Sequence, residues 1–198
     1  MSTCILVLGT PRSGTSCLAG ILSKLGIYIG DNLLRANDMN EMGFFQDIEF
    51  EELFDNCPEW MPQYPGKDLC DKEKLHSLIQ KRCKEHEIWG LKIRLGAFVV
   101  EDFEMFCDIK LIVLDRNKQQ SIDSLTKWSL PSDQNPTEVI ERSRDAIQNV
   151  LKTRKALHIT FDSLLNSAES KVEHIAEYIG KEKTNEAVEF INPSLRRY

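Results

Sequence analysis

Two glycines near the amino terminus have the spacing of a phosphate-binding loop. Gly9 and Gly14 enclose the four residues Thr-Pro-Arg-Ser and follow a short apolar run. In a G-x-x-x-x-G loop, successive backbone N–H groups cradle an anion at the N-terminus of the following helix. A nucleoside triphosphatase would carry lysine before the final Ser/Thr, but this chain has Thr15 and Ser16 there, and its cation is Arg12, inside the loop. The pattern therefore predicts a phosphorylated nucleotide other than ATP.

A second group suited to a phosphate occurs near the middle of the chain. Residues 108–114 have the composition of a buried strand, and Arg116 follows it closely. The arginine side chain supplies a fork of donors that matches a phosphate. Ser124 comes eight residues later, and two helical turns would bring its hydroxyl to the same side of the loop. Ser121 competes for this role, but the spacing favours Ser124.

Both segments resemble the cofactor site of one enzyme family. Residues 10–16 resemble the 5′-phosphosulfate loop of the sulfotransferases that use 3′-phosphoadenosine 5′-phosphosulfate (PAPS), and residues 116–124 resemble that family's 3′-phosphate element. The resemblance implies PAPS as the sulfuryl donor and adenosine 3′,5′-bisphosphate as the product. By position, it implies that the cofactor-binding residues are Arg12, Ser13, Gly14, Thr15, Ser16, Cys17, Arg116 and Ser124.

Further segments are similar to the same family in the same order along the chain. Residues 40–47 are similar to a G-aromatic-aromatic-Glu-Asp segment of the bacterial-type enzymes, and residues 89–92 to a W-G-x-K strand end. Residues 158–165 are similar to a Y-E-D-L-L turn, and residues 192–197 to a D-P-S-L-R-R ending. Because the family's strand lysine lies near the transferring sulfuryl group, the resemblance implies a catalytic role for Lys92.

The general base is the incomplete part of this site. The cytosolic sulfotransferases have a histidine two residues beyond the strand lysine, where this chain has Arg94. The bacterial-type pattern has a carboxylate where this chain has Gln46, whose amide is not a useful base. Asp47 is the nearest remaining carboxylate, followed by Glu49, although Asp47 is equally a favoured helix N-cap. A site that binds nucleotide without turnover is a further alternative. The predicted catalytic residues are Lys92, Asp47, Gln46 and Arg12.

The acceptor and the metal requirement are less specified. The irregular, aromatic segment 30–71 is expected to line a pocket for a small-molecule or glycan acceptor with a hydroxyl, or an amine. No metal is expected, because the four histidines are dispersed along the sequence. A nucleotide or nucleoside kinase is the rival enzyme class; Thr15 at the lysine position disfavours it, and Asp115 would be its magnesium-holding residue.

Composition bounds the class of protein. With 198 residues, 41% of them hydrophobic, the chain is expected to form a single sulfotransferase-like domain over residues 1–198. A net charge of −6 opposes nucleic acid as a main partner. Six cysteines without a C-x-x-C pair predict free thiols in a reducing cytoplasm. No apolar stretch approaches the roughly 20 residues of a membrane span, and the residues before the first strand are not expected to act as a signal peptide. The chain is short for its family, so a second copy could complete the pocket.

Alternating strands and helices predict an α/β fold, a doubly wound parallel sheet flanked by helices, as in P-loop nucleotide triphosphatases and sulfotransferases. The predicted strands are 4–8, 26–29, 88–93, 109–114 and 156–160. The predicted helices are 15–25, 47–56, 72–85, 97–106, 118–128, 136–155 and 168–179. Ligands of such sheets bind at the carboxyl ends of the strands, which is where both predicted halves of the site lie.

Overall fold

The computed structural model describes residues 1–37, 40–54, 69–127 and 134–191. Within these residues four parallel strands form one sheet, in the order β2-β1-β3-β4. They are β1 (Thr3–Gly9), β2 (Ile88–Lys92), β3 (Asp108–Asp115) and β4 (Ala156–Thr160). Because β1 pairs with both β2 and β3, the loop that follows β1 lies between the carboxyl ends of its two neighbours.

Helices connect the strands and cover the sheet. They are α1 (Thr15–Lys24), α2 (Ile48–Glu51), α3 (Lys72–Glu85), α4 (Val100–Glu104), α5 (Lys118–Thr126), α6 (Pro136–Leu151), α7 (Phe161–Asn166), α8 (Ala168–Ile179) and α9 (Asn185–Glu189). Two 3₁₀ turns, Glu52–Phe54 and Gly96–Phe98, extend α2 and precede α4.

Each face of the sheet has its own hydrophobic core. Successive side chains of a strand point to opposite faces, so Leu6 of β1 packs in one core and Ile5 in the other. The core around Leu6 includes residues of α3, α4 and α6, whereas the core around Ile5 includes residues of α1 and α8. Helices on both faces confirm the predicted α/β, doubly wound fold.

Several predicted elements match the structure closely, and the differences have local causes. The predicted helices 72–85 and 168–179 have the observed bounds. The predicted helix 97–106 is instead a 3₁₀ turn followed by the five residues of α4. The predicted strand 26–29 is reduced to one bridge, between Tyr28 and Trp89, because glycines with positive φ bound it on either side.

Two short helices were not predicted. Threonine side chains cap both of them: Thr160 accepts a hydrogen bond from Ser163 N at the start of α7, and Thr184 accepts one from Ala187 N at the start of α9. Such capping residues also occur in turns, so they do not by themselves predict a helix. A helix of five or six residues is also too short to show a periodic hydrophobic pattern. Most of the irregular segment 57–71 and all of residues 192–197 lie outside the described residues.

The cysteines that the structure describes are free thiols, as expected: Cys4, Cys17, Cys70, Cys83 and Cys107. Among the described residues, no helix combines the length and the apolar character needed to cross a membrane.

Candidate functional site

A cavity of about 530 Å³ opens at the carboxyl edge of the sheet. Its walls come from the loop after β1, the start of α1, the end of β2 and the segment around residues 34–46. Register explains why these parts meet, since Val7 of β1 pairs with Lys92 and Gly9 pairs with Leu114 of β3. Both predicted halves of the nucleotide site therefore border one space.

The loop after β1 has the compact shape that its glycines predict. A Cβ on Gly9 would lie 2.6 Å from Ser13 Oγ and 2.8 Å from the Leu114 carbonyl oxygen, so only glycine fits there. Ser13 N donates to the Thr10 carbonyl at 3.1 Å, which closes the turn. Gly14 has φ of 97°, in the left-handed region that glycine adopts without strain, and α1 begins at the next residue.

Arg12 joins the loop to the second predicted element. Its φ of 64° is unusual for a residue other than glycine, and such strained positions cluster at functional sites. Arg12 Nε donates to Ser124 Oγ on α5 at 3.1 Å, and its carbonyl accepts from Arg116 Nη1 at 2.8 Å. The structure thus brings Arg12, Arg116 and Ser124 into direct contact, although 112 residues separate the first from the last.

Arg116 is fixed by aromatic and polar neighbours. Its guanidinium lies over the ring of Phe161 from α7, 4.9 Å from the centroid, and its Nε donates to Gln120 Oε1 at 3.4 Å. The Asn117 side chain caps α5 and so sets the direction in which the helix leaves the strand. Arg116 and Ser124 are both buried, yet Arg116 lines the cavity.

Three hydroxyl groups around the loop lack hydrogen-bond partners among the described residues. Thr10 Oγ1, Ser13 Oγ and Ser121 Oγ are all buried. Buried polar groups in native proteins are normally paired. Of the three, Thr10 is the one that lines the cavity, and its unpaired hydroxyl near Arg12 and Arg116 fits a phosphorylated ligand such as the nucleotide that the sequence predicts.

The start of α1 supplies neutral groups to the same wall. Thr15, Ser16 and Cys17 line the cavity together with Gly14. Burial raises the pKa of the Cys17 thiol to about 12, so the thiol stays protonated at neutral pH. Cys17 is therefore a neutral part of the wall and is not poised as a nucleophile.

The Lys92 side chain lines the cavity, and its amino group is buried. Its Nζ donates to Gln46 Oε1 at 2.7 Å, and to Ser16 Oγ and the Phe44 carbonyl at 3.3 Å each. Burial is the main cause that lowers the pKa of Lys92 to about 7; the nearby guanidinium groups of Arg94 and Arg12 act in the same direction.

Gln46 reaches Lys92 because its segment turns sharply. Gly43 and Phe45 both have positive φ, 92° and 52°, and the Gln46 carbonyl accepts from Leu34 N at 2.8 Å. Gln46 is buried and lines the cavity. The amide thus occupies the place beside the lysine where the resembling pattern has a carboxylate.

Asp47 takes the other role that the sequence allowed for it. Its Oδ1 accepts from Glu49 N as the cap of α2, and its Oδ2 accepts from Arg82 of α3 at 2.7 Å. Burial raises the pKa of Asp47, and the Arg82 guanidinium opposes that rise. Asp47 does not line the cavity. With both oxygens held away from the cavity, it is an N-cap and a buried ion-pair partner, so this geometry does not favour the expected base at Asp47.

Sequence reasoning missed a carboxylate that does line the cavity. Glu51, one turn after Asp47 on α2, pairs with Arg94: Oε2 accepts from Arg94 Nε at 2.7 Å and Oε1 from Arg94 N at 3.3 Å. Both residues border the cavity, and the Glu51 side chain is only 12% exposed. The signal that could have found Glu51 is its spacing of one helical turn from the cap Asp47.

The described residues give no support for a bound metal ion at the cavity. No group of three or more His, Cys, Asp or Glu side chains in the described part of the chain is arranged to hold a metal ion. Asp115, which a kinase would need for magnesium, does not line the cavity, since its Oδ1 accepts from Arg144 of α6 at 3.2 Å.

Comparison with known proteins identifies the fold. No protein-family model matches the chain, and no curated protein matches it. The sulfotransferase domain of the curacin biosynthetic pathway matches with a TM-score of 0.62 at 17% identity, over 97% of this chain and 78% of that one. The sulfotransferase domain of the olefin synthase from Synechococcus PCC 7002 matches with 0.61 at 16% identity, over 94% and 76%. The chain has the sulfotransferase fold.

Enzymes with other chemistry share the architecture of the sulfotransferase fold. Shikimate kinase from Bacteroides thetaiotaomicron matches with a TM-score of 0.55 at 13% identity, over 90% of this chain and 98% of that one. One fold hosts several chemistries. The choice between sulfuryl and phosphoryl transfer therefore depends on the residues around the cavity.

Proposed function

We propose that the chain is a sulfotransferase that moves a sulfuryl group from PAPS to a hydroxyl group, or an amine, of a small-molecule or glycan acceptor. The fold supports this proposal, as does the loop with Thr15 in place of a kinase lysine. Lys92 at the end of β2 provides the cation on that side of the cavity instead.

One observation carries the proposal: the contact of Arg12 with Ser124 and Arg116. It joins the phosphate loop to a second cationic element at the end of the neighbouring strand. A nucleotide phosphorylated only on its 5′ side would need the loop alone. An adenosine nucleotide with phosphates at both the 3′ and 5′ positions would use both elements.

The residues of the cavity suit charge stabilisation during the transfer. When bound, PAPS supplies the sulfuryl group and leaves as the bisphosphate. The N–H groups of the loop and the α1 N-terminus would hold the 5′ side, and Arg116 and Ser124 would hold the 3′-phosphate. Lys92 and Arg12 would stabilise the negative charge of the transferring group, which is a major catalytic contribution in group transfer.

Glu51 is the base in this proposal. Among the described residues, Glu41 and Glu51 are the carboxylates that line the cavity, and Glu51 is the one whose charge acts on the pKa of Lys92. Arg94 holds the Glu51 carboxylate in a fixed orientation. Glu51 would take the proton of the acceptor hydroxyl as the new S–O bond forms.

The acceptor would enter past an apolar rim. Leu34 and Met42 line the cavity and remain 42% and 39% exposed, so they present apolar surface at its mouth. Phe44 and Ile93 extend this surface inward. An acceptor with an apolar or sugar-ring face beside its hydroxyl fits such a lining.

Nucleotide preference tests the proposal against its rival. A calorimetric titration should give tighter binding of adenosine 3′,5′-bisphosphate than of adenosine 5′-monophosphate or ATP–Mg²⁺. Transfer of labelled sulfate from PAPS to a panel of phenols, alcohols, amines and glycans would then identify the acceptor. Preference for ATP–Mg²⁺ would instead support a small-molecule kinase, the alternative that the shikimate kinase likeness raises. Binding of the bisphosphate without transfer to any acceptor would indicate a nucleotide-binding relative without turnover.

A further inference from the structure

Among the described residues, the buried amino group of Lys92 has only neutral atoms as hydrogen-bond partners. Its three acceptors are an amide oxygen of Gln46, a hydroxyl oxygen of Ser16 and the carbonyl oxygen of Phe44. The residue is 9% exposed. A buried cation is normally paired with an anion, because removal from water otherwise penalises the charged form. Lys92 lacks such a contact among the described residues.

The charges that face Lys92 do not replace the missing anion. Arg12 from the loop after β1 and Arg94 from the residues after β2 both repel its positive charge. Glu51 from α2 attracts it, but the Glu51 carboxylate is already paired with Arg94. The described surroundings of Lys92 therefore hold two cations and one shared carboxylate, and they favour the neutral amine.

We propose that Gln46 is a positioning residue that makes Lys92 a proton-linked anion receptor, uncharged in the empty cavity and protonated when the 5′ phosphate or sulfate group of the nucleotide enters. The identity of the ligand rests on the proposed function; the charge state of the empty cavity does not. The step is an acid–base equilibrium in which the lysine amine takes one proton from water or buffer. No bond of the nucleotide forms or breaks in it.

A carboxylate at position 46 would abolish this behaviour. Glutamate would stand at hydrogen-bond distance from Lys92 Nζ and would keep the ammonium charged whether or not a ligand is present. The Gln46 amide orients the amine through the same hydrogen bond without supplying a charge. Gln46→Glu is thus a matched variant of nearly identical shape that differs in charge.

Direct titration of Lys92 tests the proposal in the whole protein. In protein labelled with ¹³C-lysine, one side-chain resonance should titrate near pH 7 and disappear in Lys92→Arg. In the presence of saturating adenosine 3′,5′-bisphosphate it should stay protonated beyond pH 9. In Gln46→Glu it should stay protonated with or without ligand. A wild-type resonance that titrates above pH 9 in the free protein, or at the same pH with and without ligand, would overturn the proposal.

The pH dependence of affinity gives a second readout. If the lysine pKa rises from about 7 to beyond 9 on binding, affinity for the bisphosphate should fall by about 25- to 50-fold between pH 7 and pH 9. Calorimetry in buffers of different ionisation enthalpy should show uptake of close to one proton at pH 8.5, where the phosphates themselves are fully ionised. Lys92→Arg should show neither effect.

Failure of the proposed function would be visible separately. If adenosine 3′,5′-bisphosphate does not bind, the sulfotransferase proposal fails, and inorganic pyrophosphate becomes the probe for the same titration. A Lys92 resonance that shifts from neutral to protonated with pyrophosphate would still support the proton-linked receptor. A resonance that pyrophosphate at saturating concentration leaves unchanged would refute it.

Discussion

At the scale of single residues, the cavity assigns tasks that residue type alone leaves open. Arg116 lines the cavity, whereas Arg144 of α6 pairs with Asp115, the residue directly before Arg116. Gln46 and Asp47 are neighbours in sequence, yet Gln46 meets Lys92 and Asp47 meets Arg82. Function at this scale follows from the direction in which each side chain points.

Arg116→Ala should weaken binding of adenosine 3′,5′-bisphosphate by about 10- to 150-fold, which corresponds to about 1.5–3 kcal/mol for hydrogen bonds to a charged group. The reason is the loss of a buried guanidinium that lines the cavity and donates to the Arg12 carbonyl. Calorimetric titration of the variant would measure the change, with adenosine 5′-monophosphate as the ligand that lacks the 3′-phosphate. Arg144→Ala is the control and should bind both ligands as the wild type does. Equal losses for the two ligands in Arg116→Ala would contradict the 3′-phosphate assignment.

Glu51→Gln should reduce kcat by about 10²–10⁴, the contribution typical of a general base, with little change in nucleotide affinity. The amide oxygen can still accept from Arg94 Nε, so one of the two bonds to Arg94 is retained while the proton acceptor is lost. Rates of sulfate transfer measured at saturating acceptor would give the effect. An unchanged kcat would remove Glu51 from the mechanism.

Asp47→Asn is the matched control for Glu51→Gln. Asparagine caps helices about as well as aspartate, but it leaves the buried Arg82 without its closest buried carboxylate. Loss of one partner of a buried ion pair costs about 3–5 kcal/mol, and the partly exposed Glu49 compensates in part. We expect a lower melting temperature and an unchanged kcat per folded molecule. A kcat loss as large as that of Glu51→Gln would restore Asp47 as the base.

At the scale of elements, the junction between β1 and α1 lines the cavity and leaves no room for a side chain at its last glycine. Gly14 has positive φ, and a Cβ there would lie 2.5 Å from the Phe161 ring, on which Arg116 also stacks. Backbone conformation, the α7 aromatic ring and the Arg116 guanidinium are thus coupled at one residue. A change at this junction should therefore disturb both the loop at residues 9–14 and the position of Arg116.

Gly14→Ala should lower both stability and affinity for adenosine 3′,5′-bisphosphate. Gly26→Ala is the control, because Gly26 also has positive φ but an added Cβ there has no atom within 4 Å. The control separates backbone strain from the clash with Phe161. Both variants bear the cost of a left-handed alanine, about 1–2 kcal/mol, while only Gly14→Ala displaces Phe161. Chemical denaturation and calorimetric titration would measure the two effects. Normal affinity in Gly14→Ala would argue against the coupling.

At the scale of the whole molecule, an acidic protein concentrates cations around one cavity. The net charge is −6, whereas Arg12, Arg35, Lys92, Arg94 and Arg116 all line the cavity. Such a local field would attract the multiply charged nucleotide of the proposed function, although the molecule as a whole is negative. The fold explains the concentration, because the cations come from the carboxyl ends of neighbouring strands and the segments beside them.

Sulfate transfer should proceed without added divalent metal. Arg12, Lys92 and the amides of the loop would supply the positive charge that a metal ion supplies in phosphoryl transfer. Initial rates measured with PAPS, with and without excess EDTA, should therefore agree. A strict magnesium requirement would instead favour the kinase alternative.

The sequence by itself determined the order of the elements and the two places along the chain whose residues border the cavity. Apolar runs of five to eight residues and helical periodicity predicted the parallel sheet, and the two glycines fixed the shape of the loop. These features are local: propensity, periodicity and a steric need for glycine act within a few residues. The sequence predicted that the loop and the residues after β3 lie at one edge of the sheet, because parallel strands end there. The direct hydrogen bond between Arg12 and Ser124 was not predicted.

Tertiary structure alone decided the charges and partners inside the cavity. Asp47 and Glu51 are carboxylates of one short segment, and only packing against α3 and the end of β2 turns the first to Arg82 and the second to Arg94. Burial among neutral acceptors, which no spacing encodes, sets the protonation of Lys92. Side-chain direction and desolvation depend on residues that are distant in sequence, so these properties arise only when the chain has folded.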